Sequence, residues 1–102
     1  MAKYIVLHTY KRSADEFAQL AKPDKMREWA TTLAEARHAR CLRSWNPYPH
    51  GRKDYVFCLW EATSPEAIRE AVAQTEIADF LNMDIMEVYE IDWGALAMQA
   101  RA

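Results

Sequence analysis

Apolar and polar residues alternate with a period of two in four short segments, and with a period near 3.6 in the stretches between them. Residues 3–10 are rich in β-branched and aromatic side chains and predict a first strand. Residues 39–45, 54–61 and 84–92 predict three more. The third is nearly continuous in apolar character, which is typical of a central strand.

Helix signals lie between these strands. Ser13 and Glu16 have capping-box spacing and open a first helix, which Pro23 interrupts before a second helical stretch over 24–36. Ser64-Pro65 begins another helix after the third strand, and a short turn-like segment covers 77–82. The order β-α-β-β-α-β predicts an α+β, ferredoxin-like fold with an antiparallel sheet 4-1-3-2 and both helices on one face.

Length, charge and targeting signals limit the classes of protein. We expect residues 1–102 to form one domain, with a C-terminal tail from about 93. The net charge of −2 argues against a nucleic-acid partner. The apolar stretch near the N-terminus is too short for a signal peptide, and no segment predicts a membrane span. We therefore expect a cytoplasmic protein without a membrane partner.

One face of the predicted sheet lacks a helical cover. The aliphatic pair Ile5 and Leu7 is expected to face the helices, which puts alternate residues on the uncovered side. The expected uncovered set is Tyr4, Val6, His8, Tyr10, Cys41, Arg43, Trp45, Ile85, Glu87, Tyr89 and Ile91. Strand 3 is apolar on both faces; the set with Tyr55, Phe57, Leu59 and Glu61 is favoured to point outward because it carries a charge, over the set with Val56, Cys58 and Trp60.

Such a face is too apolar for contact with water. A second copy of the chain is the expected cover, which predicts a homodimer of the dimeric α/β barrel type. Four aromatic residues are expected to line a ligand cavity between the two sheets: Tyr4, Tyr10, Trp45 and Tyr89.

Few residues are candidates for metal binding, proton transfer or anion binding. His8 lies in an apolar strand, where it predicts a metal ligand, a proton-transfer base or a structural histidine satisfied by a hydrogen bond. Glu87 on a neighbouring strand could orient the imidazole, share a metal or be solvated. Arg43 could bind an anion or pair with a glutamate. Cys41 and Cys58 predict two buried reduced thiols in preference to a disulfide, with one metal-binding or reactive cysteine as a further alternative.

Several segments resemble a known family. VLH at 6–8, LRSW at 42–45, FCLWEATSPEAIREA at 57–71 and DIMEV at 84–88 occur in the same order in small ferredoxin-like bacterial domains of unknown function whose characterised members bind nickel. The resemblance implies a divalent metal such as nickel, held by His8, Glu61, Glu87 and Cys58. Family members commonly carry histidines on the second helix. This chain has none there, so an organic ligand in place of the metal is the alternative.

The sequence thus predicts a homodimeric binding protein for a small ligand or a nickel-type metal on the open sheet face. The alternative is a cofactor-free enzyme of the monooxygenase, isomerase or cyclase type. In that alternative His8 is the general base, Glu87 orients it and Arg43 binds an anion. A structural domain without a ligand is the third hypothesis.

Overall fold

The computed structural model describes residues 1–101 and shows four strands and five α-helices within them. The elements are β1 (Ala2–Thr9), α1 (Ala14–Leu20), α2 (Pro23–Glu35), β2 (Ala39–Trp45), a 3-10 turn (Tyr48–His50), β3 (Tyr55–Ala62), α3 (Pro65–Ala73), α4 (Ile77–Phe80), β4 (Asp84–Val88) and α5 (Trp93–Arg101). The last strand ends before the predicted residue 92, and the predicted tail forms α5. The final tail residue, Ala102, lies outside the described part.

The four strands form one antiparallel sheet in the order β2-β3-β1-β4. From the β4 edge this order is 4-1-3-2. Helix α2 packs against β2, and α3 packs against β2 and β3. The chain is therefore α+β with an open antiparallel sheet, an architecture compatible with a ferredoxin-like fold.

The helix starts follow local sequence signals. The Ser13 hydroxyl accepts a hydrogen bond from the Glu16 amide at 3.0 Å, and the Ser64 hydroxyl accepts one from the Ala67 amide at 3.2 Å. Each cap satisfies an amide that has no partner within the first helical turn. Pro23 lies in the first turn of α2, where its missing amide proton costs no helical hydrogen bond.

The core lies between the helices and the side of the sheet that they cover, called here the inner face. Inner-face positions of the central strands are buried in alternation: Tyr4, Val6 and His8 in β1, and Val56, Cys58, Trp60 and Ala62 in β3. Ile68 and Val72 of α3 complete the fully buried centre. The opposite side, the outer face, has no helical cover.

The predicted orientation of β1 was wrong. Ile5 and Leu7 lie on the outer face, whereas Tyr4, Val6 and His8 lie on the inner face. The physical reason is that Ile5 and Leu7 share their side of the strand with polar residues at both strand ends. Lys3 pairs across the sheet with Glu61, and a lysine cannot be buried in the core without a large desolvation cost. The favoured orientation of β3, with Tyr55, Phe57, Leu59 and Glu61 outward, agrees with the structure.

The predicted orientation of Cys41 was also wrong, because β2 contains a β-bulge. Cys41 pairs with Trp60 and Arg43 pairs with Leu59, so Leu42 is an extra residue. The extra residue puts Cys41 on the inner face, although simple alternation predicts it beside Arg43 and Trp45. Arg43 and Trp45 remain on the outer face, as predicted, because they pair with outward residues of β3.

Helix α5 projects from the body of the molecule. None of its residues is buried, and Trp93 and Met98 are 74% and 71% exposed. The radius of gyration is 15.2 Å, whereas a compact chain of this length has about 13 Å. The chain thus presents an apolar arm that its own core leaves uncovered.

The structure also bears on membrane insertion. In residues 1–101, every helix falls short of the length and apolar content needed to cross a bilayer.

Candidate functional site

A cavity of about 470 Å³ lies between the inner face of the sheet and helices α1 and α2. Its volume is in the range of small-molecule sites, roughly 300–1,000 Å³. The apolar lining residues are Ala14, Phe17, Ala18, Ala21, Met26, Trp29, Ala30, Leu33, Val56, Trp60, Val72, Ile77 and Leu81. Alanines on the two helices leave the space, since larger side chains there would fill it.

The polar lining groups are few and come mainly from the sheet. They are His8, Cys41, Ser44, Asn46, Tyr48 and Cys58, and Pro49 adds an apolar contact beside them. A mostly apolar wall with a few placed polar groups is the usual composition of a site for an organic ligand.

His8 is the buried imidazole of this cavity. The residue is 3% exposed, and its Nδ1 lies 3.2 Å from the carbonyl oxygen of Asn82. A carbonyl only accepts, so Nδ1 carries the proton and Nε2 is left with a lone pair. The structure shows no hydrogen bond to Nε2 from residues 1–101. Burial lowers the pKa of His8, and the bond to the Asn82 backbone opposes that shift.

Two thiols and a hydroxyl form a cluster on the same wall. The Ser44 hydroxyl donates to Cys58 Sγ at 3.0 Å and lies 3.7 Å from Cys41 Sγ. Cys58 is buried, while Cys41 is partly exposed. The bulge at Leu42 creates the cluster because it brings Cys41 and Ser44, three residues apart, to the same face.

The cluster makes the two thiols unequal. Hydrogen bonding from the Cys58 thiol, assisted by Ser44 and the Arg43 backbone, lowers the pKa of Cys41 to about 7 against the effect of burial. The same interaction, together with burial, raises the pKa of Cys58. These pKa shifts favour ionisation of Cys41, the more accessible sulfur, over ionisation of Cys58.

Aromatic side chains shape the helical wall. Phe17 and Trp29 stack with ring centroids 6.1 Å apart and an interplanar angle of 11°. Trp29 Nε1 donates to Glu76 at 3.3 Å, and Glu76 also forms an ion pair with Lys25. These contacts fix α2 over the cavity.

The connection between β2 and β3 forms one edge of the cavity. Asn46, Tyr48 and Pro49 line it, and the Tyr48 hydroxyl donates to Asp15 of α1 at 2.8 Å. Hydrogen bonds from Tyr48 and then Lys53 lower the pKa of Asp15. The proline-rich turn is thus held against α1 at the rim.

The structure does not bring the predicted catalytic residues together. Arg43 lies on the outer face, on the opposite side of the sheet from His8. Glu87 pairs with Tyr4, which is four residues and about 13 Å along β1 from His8. A backbone carbonyl, that of Asn82, orients the imidazole in place of the predicted Glu87.

The four residues implied as metal ligands are also dispersed. His8 and Cys58 share the inner face, but Glu61 is on the outer face, where it pairs with Arg40 at 3.4 Å, and Glu87 is on the exposed edge strand. Within residues 1–101, no group of three or more His, Cys, Asp or Glu side chains could hold a metal ion. The residues present therefore do not fit the implied nickel site.

The predicted aromatic lining is divided between several places. Tyr4 is buried in the core, and Tyr10 contacts Phe17 at 6.0 Å between ring centroids. Trp45 stacks on Phe57 at 5.4 Å on the outer face, and Tyr89 is 90% exposed beyond β4. None of these four lines the inner cavity, whose aromatic residues are Phe17, Trp29, Tyr48 and Trp60.

Sequence reasoning missed the inner cavity and the Cys41–Ser44–Cys58 cluster. One signal was available for the cavity: alanines at 14, 18, 21 and 30 recur on the sides of α1 and α2 that also carry Phe17 and Trp29. For the cluster no signal was available, because alternation puts Cys41 and Ser44 on opposite faces.

Comparisons with known proteins give no further assignment. A scan against protein-family models and a search of curated proteins both returned no match to this chain. The resemblance to nickel-binding domains stays a prediction from the quoted segments.

Acid is expected to destabilise the fold through His8. The lowered pKa means that folded His8 binds fewer protons than the unfolded residue once the pH falls below about 6.5. Stability from this residue is present above that pH and is lost on acidification toward the folded pKa, by up to about 1.4 kcal/mol per pH unit.

The measurement is urea unfolding of the wild type and His8→Gln between about pH 5 and pH 8. The stability advantage of the wild type should shrink as the pH falls, because glutamine does not titrate. An advantage that stays constant over this range would contradict the prediction.

Proposed function

We propose that this chain binds a small, largely apolar organic molecule in the inner cavity, with His8 as its main polar contact. One observation carries the proposal: a buried imidazole with a fixed tautomer presents an unbonded Nε2 in the wall of a cavity of about 470 Å³. His8 lines the cavity, so a ligand hydroxyl that donates to Nε2 would gain both a hydrogen bond and specificity.

The side chains of the cavity wall are suited to a ligand whose larger part is apolar. Phe17, Trp29, Leu33 and Trp60 offer aromatic and aliphatic contacts. Removal of apolar ligand surface from water contributes roughly 25 cal/mol per Å². The site therefore differs from the predicted one in location: it lies under the helices of one chain and not on the open sheet face.

Binding of the fluorophore phenylnaphthylamine tests the proposal. We expect its emission to rise and shift to the blue in the presence of the wild type, with energy transfer from Trp29 and Trp60 in the cavity wall. Ala18→Leu puts extra volume into the cavity and should weaken binding about tenfold.

The matched control is Gln19→Leu, because Gln19 is the exposed neighbour of Ala18 on α1. It should bind the fluorophore like the wild type. Failure of the wild type to bind, or equal weakening by both variants, would overturn the proposal.

The second candidate is a cofactor-free enzyme in which His8 is the general base. The bond from Nδ1 to the Asn82 carbonyl favours it, because that bond leaves the Nε2 lone pair free on a residue that lines the cavity. Glu87 and Arg43 have no part in this version. Under this candidate, His8→Gln abolishes proton abstraction from a bound substrate yet retains its binding, whereas a binding protein shows only a change in affinity.

We also infer a homodimer of the dimeric α/β barrel type, formed through the outer face. Tyr55, Phe57 and Trp45 form an aromatic row there, and Ile5, Leu7, Leu59 and Met86 extend it across the sheet. A monomer rarely exposes so large an apolar patch. The exposed Trp93 and Met98 of α5 add apolar surface that a partner could cover.

A cytoplasmic location stays our proposal for the compartment. Cys41 and Cys58 are both unpaired in the structure. Reduced thiols are typical of proteins from reducing compartments.

A further inference from the structure

We propose that α5 is an arm that packs against a second copy of the chain, at the start of β2 on the partner's outer face. The proposal rests on the homodimer inferred above, and it names the element of each chain that reaches over to the other. Three features carry it: the composition of α5, the surface area of the single chain and the charges at the two edges of the sheet.

Helix α5 is apolar on all its sides. Of its nine residues, only Gln99 and Arg101 have polar side chains. The helical period puts Trp93 and Leu96 on one side and Met98 on another, and all three are exposed. Helices that are apolar all round are normally buried, so α5 requires a cover that residues 1–101 of its own chain do not provide.

The length of α5 also requires a packing surface. Helices shorter than about 12–15 residues are marginal in water when nothing packs on them, and α5 has nine residues. The Asp92 carboxylate accepts a hydrogen bond from the Ala95 amide at 3.0 Å, which caps the first turn but covers none of the apolar side chains. The helical state of α5 therefore depends on contact with another surface.

The single chain exposes more surface than a compact monomer does. Its accessible surface is 6929 Å² at a mass of 11.9 kDa. A compact monomer of that mass exposes about 5,950 Å². The excess of about 1,000 Å² is slightly larger than the roughly 800 Å² that each partner contributes to a standard protein interface. A second copy is therefore a sufficient cover, and two arms exchanged about a two-fold axis satisfy both chains.

The root of the arm lies at one end of the outer face. Lys3 pairs with Val88 on one side and with Glu61 on the other, and Glu61 pairs with Arg40, so these four residues form one row across the sheet. Glu90, two residues after Val88, forms an ion pair with Lys3 at 3.1 Å. The chain therefore leaves β4 on the outer side, at the end of the sheet where β2 begins.

The charges at this end select the symmetry of the dimer. Glu90 and Asp92 make the β4 edge acidic, whereas Arg40 and Arg43 make the β2 edge basic. A two-fold axis parallel to the strands puts the acidic edge of each copy over the basic edge of the other. An axis across the strands would oppose acid to acid and base to base, which is unfavourable. The arm of each chain is thus directed to the start of β2 in its partner.

Leu42 supplies the apolar contact at that place. It is the extra residue of the β-bulge, lies between Arg40 and Arg43 in β2 and is 42% exposed. Sheets that pack face to face are about 10 Å apart. A helix of nine residues is about 13 Å long, so α5 is long enough to reach Leu42 of the partner subunit.

Photo-crosslinking between isotopically different copies tests the arm. Benzoylphenylalanine replaces Leu96 in an unlabelled chain, which is mixed with an excess of ¹⁵N-labelled wild type and irradiated. We expect cross-linked peptides that join unlabelled α5 to labelled β2. Cross-links from α5 to its own chain, cross-links to the helices of the labelled copy, or the absence of any cross-link between copies would overturn the proposal.

The affinity of the dimer gives an independent readout. Trp93→Ala should raise the dissociation constant at least about 30-fold, as expected for a tryptophan at the centre of an interface. Gln99→Ala is the matched control on the same helix and should stay within about twofold of the wild type. Light scattering over a range of protein concentrations measures both, and neither substitution should unfold the core, because α5 has no buried residue. Equal effects of the two variants would contradict the arm.

A membrane surface is the other possible cover for α5, and vesicles of phosphatidylserine and phosphatidylcholine test it. We expect no co-sedimentation of the protein with them, because Glu90 and Asp92 precede the helix and Arg101 is its only basic residue. Tight binding to these vesicles that Trp93→Ala abolishes would assign α5 to a lipid surface and overturn the proposal.

The arm and the inferred homodimer fail in different ways. A dimer whose affinity is unchanged in Trp93→Ala would leave the homodimer standing and disprove the arm. A wild type that is monomeric at every concentration would disprove both.

Discussion

Replacing Leu59 with lysine is expected to convert the proposed dimer into a monomer. Leu59 lies on a central strand of the outer face, paired with Ile5 on one side and Arg43 on the other. A two-fold interface carries the substitution twice, and each copy buries an unpaired charge among apolar groups. The dissociation constant should rise by about 1,000-fold or more, which corresponds to about 4 kcal/mol.

Light scattering coupled to size exclusion measures this effect over a range of protein concentrations. Ala34→Lys is the matched control, since Ala34 is exposed on α2 away from the outer face. It should leave the dimer intact. A wild type that is monomeric at every concentration, or a dimer that survives Leu59→Lys, would contradict the inferred interface.

Replacement of Trp60 by alanine is expected to destabilise the fold of the single chain by a comparably large free energy. Trp60 is 1% exposed and is among the largest fully buried side chains. We expect the free energy of unfolding to fall by about 3–5 kcal/mol, as for other buried aromatic residues truncated to alanine.

Phenylalanine at the same position gives a sharper test. Trp60 Nε1 is buried without a hydrogen-bond partner, and such a donor costs about 1–3 kcal/mol. Trp60→Phe removes that cost together with some volume, so it should destabilise the fold less than Trp29→Phe, which breaks the bond to Glu76. Urea unfolding gives both values. A larger loss for Trp60→Phe than for Trp29→Phe would mean that Nε1 has a partner, such as a buried water.

Strand and helix positions followed well from the sequence where local signals acted alone. The caps at Ser13 and Ser64 and the break at Pro23 each depend on residues within one helical turn. Four strands with two helical regions in the β-α-β-β-α-β order were likewise predictable, because each strand has its own period-two pattern.

Which face of a strand points inward was harder to predict. β1 is apolar on both sides, so the aliphatic character of Ile5 and Leu7 was misleading. The charge of Lys3 on the same side carried the correct information, just as Glu61 did in β3. The predicted site at His8, Glu87 and Arg43 failed in two ways: Arg43 lies on the opposite face of the sheet from His8, and Glu87 lies about 13 Å along the sheet from it. His8 faces the helices and lines the inner cavity, and a chemical role for it stays a prediction.

The bulge at Leu42 has a consequence for how this fold could change over generations. Deletion of Leu42 would restore alternation and leave Cys41 opposite Trp60, so the Cys41 thiol would stay inside without any change in β1, β3 or the helices. Variation in loop length is usually tolerated because loops are peripheral. Here a strand can lose one residue and keep every inward position, because the lost residue has no pairing partner in β3.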